Sequence, residues 1–506
     1  MANRITPANS RLPLCRGRFL ESNIPVFGVD LSNSMTNNGF LSCPPRVVPI
    51  LDRNFRPAVL ANRALIEAAR ATTNPVKAQL ALEQADGSNF HHSTELLPAN
   101  HPLAKANFPH LERLVKFLFW SRGGHRVYFS GPKELGEQLQ KHYTETLTGK
   151  FDANIMGDRI YERKFEIIMT DKIPPAQSNT APLGRHLDGC RIGFDLGGSD
   201  RKVAAVIDGR CVFSEEAVWN PVPQADPQWH FDQIMDSLKL AARHLPRVDA
   251  IGGSSAGVIV NNRVKVASLF RGVPLELFNS RVKDLFLEMK KAWGNIPFQI
   301  ANDGEVTALA GSMSIGANGV LGVALGTSMA GGYVNPEGNI TTWLNELAFA
   351  PIDCNPNAPM DEWSGDSGCG VQYFSQQCVG RLLAPAGIEA DADLPLPEKL
   401  KHVQSLMLAG DDRAENIYRT IGTYLGYAIA HYTDFYEFNH VLILGRVTSG
   451  PGGDVILAGA KEVLQVEFPE LFQRIVFHIP DEKDKRHGQA IAAASLPSLE
   501  NKPNHS

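Results

Sequence analysis

The chain has 506 residues, of which 43% are hydrophobic and 20% charged, and its formal net charge is -5 at pH 7. This length allows two to four domains of about 100 to 200 residues each, and the composition is typical of a soluble globular protein. A slightly acidic chain lacks the basic excess typical of nucleic-acid binding, and no apolar run approaches the roughly 20 residues of a membrane span. We therefore expect neither a nucleic-acid partner nor membrane insertion.

The cysteines and the start of the chain indicate the compartment. Seven cysteines are scattered from Cys15 to Cys378 without a CxxC pair, which suits a reducing compartment better than a disulfide framework. The first residues, MANRITPANSRLPLCRGRFL, contain no apolar run of the kind that a secretory signal peptide needs. We expect a cytoplasmic protein.

Two segments are predicted in the first third of the chain. Residues 1–55 are rich in Pro, Asn and Arg without periodicity and predict an irregular segment. Residues 56–186 combine helical patterns such as HLERLVKFLFW with short apolar strands such as KFEIIMT, which predicts an accessory α/β domain. The Pro- and Ser-containing stretch 172–189 reads as a linker. We assign no chemistry to this region.

The stretch IGFDLGGSDRKVAAV, residues 192–206, predicts a strand, a tight turn and a second strand. Gly197 and Gly198 have no Cβ, so the turn can bring backbone N–H groups against phosphate oxygens, and Ser199 adds a donor. Asp195, at the end of the first strand, is suited to holding Mg²⁺. The alternative is an ordinary hairpin turn beside a satisfied aspartate.

The elements that follow are arranged as two similar halves. The first contains three antiparallel strands, a helix, a buried strand, a hairpin around Asn261 and Asn262, a helix and a strand. The pattern starts again near residue 320 with VLGVALGTSMAGGYV, which suggests structural duplication. We therefore predict lobes at 187–303 and 304–497 that close on a nucleotide, and a tail at 498–506. Helices are predicted in the second lobe at about 368–384, 397–409 and 413–436.

The order and spacing of DLGGS, IANDGE and LGTSMAGG resemble the sugar kinase, Hsp70 and actin superfamily. Within it, residues 190–497 are similar to the ROK family of sugar kinases and repressors. The resemblance implies an α/β, two-lobed actin-like ATPase (ribonuclease H-like) fold with an interlobe cleft. It also implies ATP and Mg²⁺, with Asp195 as the metal ligand. The implied phosphate- and ATP-binding residues are Gly197, Gly198, Ser199, Lys202, Gly326, Thr327, Ser328, Gly445 and Arg446.

The same resemblance implies a catalytic and substrate-binding set. Asn302 and Asp303 match the family's substrate-binding asparagine and catalytic aspartate, and Asp303 at a strand end could accept the proton of an attacking hydroxyl. The alternative for this pair is a helix N-cap ahead of EVTALAGSM. The other implied sugar-binding residues are Ser255, Gly257 and Glu346.

Departures from the family concern the sugar pocket, a zinc site and the nucleotide. Phe349 stands where the family has histidine, and of its cysteine cluster only Cys369 remains, so zinc is not expected. Val371 replaces a second sugar-binding glutamate. Arg446 occupies a position where glycine would allow close approach of the nucleotide.

The function predicted is ATP-dependent phosphorylation of a hydroxyl on a sugar or sugar derivative, with a homodimer left open. One alternative is a non-catalytic sugar-sensing protein, and a lesser one is a DNA-binding repressor, for which residues 69–87 offer a faint helix-turn-helix pattern. A third alternative arises from Gly253-Ser254-Ser255-Ala256-Gly257, which matches the GxSxG elbow of serine hydrolases. That elbow requires a helix after the serine, whereas this sequence predicts a hairpin.

Overall fold

The structure is a computed structural model that describes residues 39–41, 43–178, 182–479 and 482–499, without the side chains of 482–487. All of these belong to the unit Met35–Ser506. Most of the predicted irregular N-terminal segment and most of the predicted tail lie outside the described residues. No helix in the described part of the chain combines the length and apolar surface that crossing a bilayer requires.

The N-terminal part is built on a four-stranded sheet in the order β2-β1-β3-β4, in which β1 is antiparallel to β2 and β3, and β4 is parallel to β3. A π-helix, Asn154–Tyr161, precedes the last strand. The remaining elements are α1 (Ala58–Arg70), β1 (Val76–Glu83), β2 (Asn89–Leu96), α2 (Asn107–Arg122), β3 (Arg126–Ser130), α3 (Lys133–Glu145), α4 (Leu147–Ala153) and β4 (Glu166–Met169).

The faint helix-turn-helix pattern at 69–87 is wrong. Residues Val76–Glu83 form the central strand β1, whose alternating side chains Ala78, Leu80 and Leu82 are fully buried. A strand paired on both edges cannot present a recognition helix. The period of two in VKAQLALE was the signal for this strand.

The first lobe contains a five-stranded sheet in the order β11-β8-β5-β6-β7, with β5, β8 and β11 parallel and β6 and β7 antiparallel. Its core is apolar on the face that α5 and α7 cover, with Ile192, Phe194 and Ile251 at the centre. The elements are β5 (Cys190–Leu196), β6 (Asp200–Ile207), β7 (Arg210–Val218), α5 (Pro227–Ala242), β8 (Ala250–Ser255), β9 (Val258–Val260), β10 (Arg263–Val266), α6 (Leu275–Leu277), α7 (Leu285–Ala292) and β11 (Phe298–Asn302).

The second lobe has a four-stranded sheet in the order β13-β12-β14-β15, with β12, β14 and β15 parallel and β13 antiparallel to β12. The elements are α8 (Asp303–Ile315), β12 (Val320–Leu325), β13 (Met329–Val334), α9 (Gln376–Leu382), α10 (Leu396–Leu408), α11 (Asp412–Tyr432), β14 (His440–Leu444), α12 (Pro451–Glu467), α13 (Pro469–Arg474), β15 (Val476–His478) and α14 (Glu482–Ala494).

The helix predicted at about 368–384 is much shorter than expected. Gly368 has a φ of 75°, which ends regular structure there, and Ser375 caps α9 by accepting a hydrogen bond from Gln377 N at 3.0 Å. Glycine with positive φ and a serine N-cap both favour a helix start after them.

The last helix lies against the sheet of the first lobe, although its sequence position follows the second lobe. A Cβ at Gly193 on β5 would come within 1.7 Å of the Ala490 carbonyl oxygen, and one at Gly252 on β8 within 1.7 Å of the Ala493 carbonyl oxygen. Only glycine permits this approach of helix backbone to sheet backbone. Because Gln489 Nε2 of the same helix donates to Thr307 Oγ1 on α8, helix α14 links the two lobes.

Candidate active site

The carboxyl ends of three parallel strands form the floor of the site. Asp195 on β5 is in register with Ser254 on β8, and Ser255 on β8 is in register with Asn302 on β11. Parallel strands end at the same edge of a sheet, which is where α/β proteins place ligand-binding residues. Sequence-predicted residues from separate stretches are thus brought to one edge.

Asp195 is buried and paired with a cation. Lys202, its register partner on β6, places Nζ 3.7 Å from Asp195 Oδ2 and 3.1 Å from Asp200 Oδ1. Burial raises the pKa of the Asp195 carboxyl, and the lysine ammonium acts against that rise. The predicted phosphate-contacting Lys202 is therefore engaged with the two aspartates.

Asn302 is the N-cap of helix α8, as its alternative interpretation predicted. Its Oδ1 accepts a hydrogen bond from Gly304 N at 2.7 Å, and its Nδ2 donates to the Gly257 carbonyl at 2.8 Å. The cap fixes the end of β11 against the loop after β8. It also determines where the next residue, Asp303, begins the helix.

Asp303 is the first residue of α8, and its Oδ1 accepts from Gly304 N at 3.0 Å. Burial, followed by the negative charge of Asp195, raises the pKa of the Asp303 carboxyl to about 6. Carboxylates that lie together in a low-dielectric site oppose each other's ionisation. Asp303 is thereby tuned towards the range in which a carboxylate is an effective general base.

Close backbone contacts bring the second lobe to this floor. A Cβ at Gly304 would lie 2.3 Å from the Gly331 carbonyl oxygen, and one at Gly332 would lie 2.1 Å from the Gly304 carbonyl oxygen. Strand β13 therefore passes directly beside the start of α8. A side chain at Gly304 or Gly332 would push β13 away from the start of α8.

Two hairpin turns with exposed tips occupy corresponding places in the lobes. Gly197 N donates to Asp200 O at 2.9 Å, and Gly198 and Ser199 are exposed at the β5–β6 turn. Gly326 N donates to Ser328 O at 2.9 Å, and Thr327 and Ser328 are exposed at the β12–β13 turn. Exposed turn N–H and hydroxyl groups are suited to phosphate oxygens.

Gly445 and Arg446 follow strand β14 at the same edge as the second turn. Gly445 has a φ of 98°, and a Cβ there would lie 2.3 Å from the Leu325 carbonyl oxygen, at the end of β12. Arg446 begins a short 3₁₀ helix with an exposed side chain, and its carbonyl accepts from Gln404 Nε2 at 2.9 Å.

Next to Asn302 opens a cavity with about 840 Å³ of empty space including its mouth, which we call the cleft pocket. Most of its lining comes from three parts of the chain, namely the N-terminal part that contains β1 to β4, the β9–β10 hairpin with β11, and the segment 340–346, and Leu183 and Glu305 complete it. The lining residues central to the site are Gln84, Ala85, Asp86, Tyr161, Asn302, Glu305 and Glu346. Asp303 is adjacent to this pocket rather than part of its lining.

Glu305 is a pocket residue that sequence reasoning missed. At the third helical position after the Asn302 cap it fits a capping box, so the sequence offered only a structural interpretation. Its carboxyl instead accepts hydrogen bonds from the Asn345 side chain and from Tyr333 N. Burial raises the pKa of Glu305 to about 8.

Glu346, predicted to bind sugar, lines the pocket as well. Burial and then the charge of Asp303 raise its pKa to about 7. Asp195, Asp303, Glu346 and Glu305 therefore form a row of electrostatically coupled carboxyl groups. Their raised pKa values arise from withdrawal from water before any substrate is considered.

The region of the predicted lost zinc site is filled by aromatic rings and charges. The ring of Phe349 lies 4.5 Å from Trp120 and 4.9 Å from Trp363, measured between centroids. Asp366 accepts from Lys116 and Arg113 of helix α2. Among the residues that the structure describes, no group of three or more His, Cys, Asp or Glu is placed to hold a metal ion.

Ser255 is the last residue of β8, and its hydroxyl donates to the Ala256 carbonyl at 3.4 Å. The β9–β10 hairpin follows, and Asn261 and Asn262 take φ values of 53° and 61° at its turn. The serine-hydrolase elbow needs a helix at this point, so that alternative is wrong. Gly257, at φ 107°, supplies the carbonyl that Asn302 binds.

Two mixed sheets, a cleft between them and paired glycine turns define an actin-like ATPase fold. The chain belongs to the ROK family, whose sequence model matches residues 191–476. No match was found among curated proteins.

Several solved structures are similar to part of this chain. The ROK hexokinase from Thermus thermophilus is 18% identical to this chain with a TM-score of 0.47, and the match covers 60% of this chain and 96% of the hexokinase. A ROK glucokinase from Streptomyces griseus, solved with glucose and AMPPNP, is 19% identical with a TM-score of 0.43, covering 60% and 98%. A ROK transcriptional regulator, a homologue of the E. coli MLC protein, is 18% identical with a TM-score of 0.49, covering 61% and 79%.

Proposed function

We propose that this protein transfers the γ-phosphate of ATP to a hydroxyl of a sugar or sugar derivative. The observation that carries the proposal is the position of Asp303. Its half-buried side chain begins α8, and its charge interacts with that of Asp195, at the edge that bears the first glycine turn, and with that of Glu346 of the cleft pocket. A hydroxyl held in the pocket would then lie between a base and a phosphate-binding turn.

In the proposed reaction the sugar oxygen attacks the γ-phosphorus, and the bond from that phosphorus to the ADP oxygen breaks. Asp303 accepts the hydroxyl proton as the new O–P bond forms, which contributes about 10²- to 10⁴-fold to the rate. Asn302 fixes the position of Asp303, because its side chain joins the helix start to Gly257. Glu346 and Glu305 hold other hydroxyl groups of the sugar.

The donor side is assigned to the two turns and the β14 end. Thr327, Ser328 and Ser199 offer hydroxyl donors to phosphate oxygens, and Gly445 and Arg446, after β14, are assigned to the adenosine side. Asp195 fits a magnesium ion by its carboxylate chemistry and its place beside the first turn, and Mg²⁺ bound there would neutralise phosphate charge. Lys202 stabilises the ionised form of Asp195.

The direct test is ATP consumption by the purified protein with Mg²⁺ and a panel of hexoses, after thermal shifts have identified those that bind. Sugar-dependent formation of ADP and a phosphorylated sugar is the expected result. Sugar binding without ADP formation would instead favour the non-catalytic sensor, which Phe349, Val371 and Arg446 suggested.

We place the reaction in the cytoplasm, in keeping with the free thiols at Cys190, Cys354, Cys369 and Cys378.

The rate is expected to depend on pH through the carboxyl row. Since Asp303 acts only when ionised and its pKa is raised to about 6, the turnover rate should fall as pH drops below about 6 and level off above it. The charges of Glu346 and Glu305 are coupled to that of Asp303, so the apparent pKa of the rate profile belongs to the three carboxyl groups together. A pH–rate profile of kcat checks this. An acid limb near the ordinary aspartate value of about 4 would contradict the assignment.

The pocket should reject anionic sugars. The lining described for the cleft pocket includes Asp86, Glu305 and Glu346 and no lysine, arginine or histidine. A carboxylate that enters this lining loses its hydration and meets no cation there, which is unfavourable even where the carboxyl groups with raised pKa values carry a proton. Calorimetry of each hexose against its own uronic acid should show at least about tenfold weaker binding of the acid. Equal affinities would contradict this interpretation of the pocket.

A further inference from the structure

The N-terminal domain supplies one wall of the cleft pocket. Gln84, Ala85 and Asp86 lie in the turn between β1 and β2, Tyr161 ends the π-helix, and all four line the pocket. Across from them the β9–β10 hairpin contributes Val258 to Asn261. The pocket beside Asn302 is therefore closed on one side by residues that precede the ROK-matched region, 191–476.

This wall is joined to the second lobe by backbone hydrogen bonds. Glu346 N donates to Trp120 O at 2.9 Å, and Asn345 N donates to Ser121 O at 3.0 Å. Gln84 Nε2 donates to Arg122 O at 2.6 Å. The end of helix α2 thus runs alongside the segment that carries Glu346, so the wall and that segment form one unit.

Two ion pairs join the wall to the first lobe. Glu162 directly follows Tyr161, has a left-handed φ of 52°, and contacts Lys265 Nζ at 2.9 Å and Lys283 Nζ at 2.8 Å. Hydrogen bonds from Lys283 and then Lys265 lower the pKa of Glu162 to about 2. Lys265 lies on β10 with only 6% of its side chain exposed, and Val264 N donates to Lys283 O at 3.0 Å.

The ring of Tyr161, next to Glu162, packs against the backbone that follows helix α2. Tyr161 is buried, and a Cβ at Gly123 would fall 1.9 Å from its hydroxyl oxygen. The backbone at Gly123, with φ 76°, therefore packs directly on the phenol. Because Tyr161 cannot shift without disturbing α2, a movement of Glu162 is transmitted to the pocket wall.

We propose that the N-terminal domain completes the acceptor pocket and determines which acceptor fits it. In this proposal Glu162 is a positioning residue, which holds the wall against the first lobe through Lys265 and Lys283. The acceptor's identity rests on the proposed kinase function, but the closure does not. Phosphoryl transfer depends on a fixed acceptor hydroxyl and on water exclusion, and a wall anchored to both lobes serves both.

The first experiment adds bulk to the wall. Ala85→Leu should lower the affinity of the best-bound hexose by at least about tenfold, because the new side chain projects from a pocket-lining position. The Km for ATP should stay within twofold of the parent, and Ala71→Leu, on the exposed end of α1, is the matched control. Unchanged hexose affinity in a folded Ala85→Leu protein would overturn the proposal.

The second experiment needs no sugar. Glu162→Gln should raise hydrogen–deuterium exchange about fivefold in both 84–88 and the hairpin 258–266, since it removes a partly exposed charge contact shared by two lysines. Glu166→Gln is the matched control, because Glu166 also pairs with two cations, Arg126 and Lys164, within the N-terminal domain. Unchanged exchange in Glu162→Gln, or the same increase in Glu166→Gln, would overturn the inference that Glu162 holds the pocket wall in place.

The two experiments separate the inference from the function. If no sugar supports ATP consumption, the proposed function fails while the exchange experiment still decides whether Glu162 closes the pocket. If turnover is found, Glu162→Gln should raise the Km for the hexose about fivefold and leave the Km for ATP within twofold. An equal rise in both Km values would contradict a role on the acceptor side.

Discussion

Replacing Asp303 with asparagine is expected to lower turnover by about 10²- to 10⁴-fold while sugar binding stays within a few fold. Asparagine keeps the size of the side chain and an oxygen that can accept from Gly304 N, so the start of α8 is retained. It cannot take the hydroxyl proton. Turnover should be measured as single-turnover ADP formation, and sugar affinity by calorimetry.

The control for this variant is Asp232→Asn, an exposed carboxylate on α5 of the first lobe, whose Oδ1 accepts from Gln228 Nε2 at 2.9 Å. It should leave turnover and affinity unchanged. Retention of more than about a tenth of parental turnover in Asp303→Asn would remove the proposed base. A parallel loss of sugar affinity would assign Asp303 to binding instead.

Lys116→Met is expected to destabilise the N-terminal domain by about 3 to 5 kcal/mol. Lys116 has 0% of its side chain exposed, and its Nζ lies 2.9 Å from Asp152 Oδ2 and 2.8 Å from Asp366 Oδ2. Burial opposes ionisation of Asp366, but the charges of Arg113 and Lys116 outweigh it and lower its pKa. Methionine matches the volume of the lysine stem and leaves two buried carboxylates without this ammonium.

Urea unfolding followed by tryptophan fluorescence measures this loss, since Trp120 Nε1 donates to Asp152 Oδ1 at 3.1 Å and reports on the same site. Lys133→Met is the control. Its ammonium lies 3.6 Å from Glu137 with 76% of the side chain exposed, and such pairs contribute little to stability. A Lys116→Met protein as stable as this control would show that the buried charges contribute no net stabilisation.

The local elements of the two lobes could be predicted because their patterns are short-range. The turn at Gly197 and Gly198, the hairpin at Asn261 and Asn262, and the strand before Asn302 each follow from apolar runs and the conformational freedom of Gly and Asn. The α/β, two-lobed fold class that the sequence implied is confirmed by the family match and the two sheets. Two elements were missed, in both cases because the composition favours helix. Helix α9 starts late because turn glycines precede it, and strand β1 was overlooked because its alternation of apolar and polar residues is weak.

The role of individual site residues was less visible. Glu305 was hidden because the spacing from Asn302 to Glu305 equals that of a capping box, and only the tertiary structure directs its carboxyl to Asn345 and Tyr333. The assignment of Lys202 to phosphate stays a prediction, and the pairing of β5 with β6 adds that its ammonium lies beside Asp195. Register across a sheet is not legible from one strand alone.

The amino-acid sequence by itself determined the strands and glycine turns of the two lobes and the identity of the residues that end those strands, because these depend on backbone conformation and on neighbours within a few positions. Only the tertiary structure decided that the N-terminal domain walls the cleft pocket, that Glu162 reaches Lys265 and Lys283, and that Asp195, Asp303 and Glu346 share one electrostatic environment. Those relations join residues that are far apart along the chain, and burial and charge coupling exist only once the chain has brought them together.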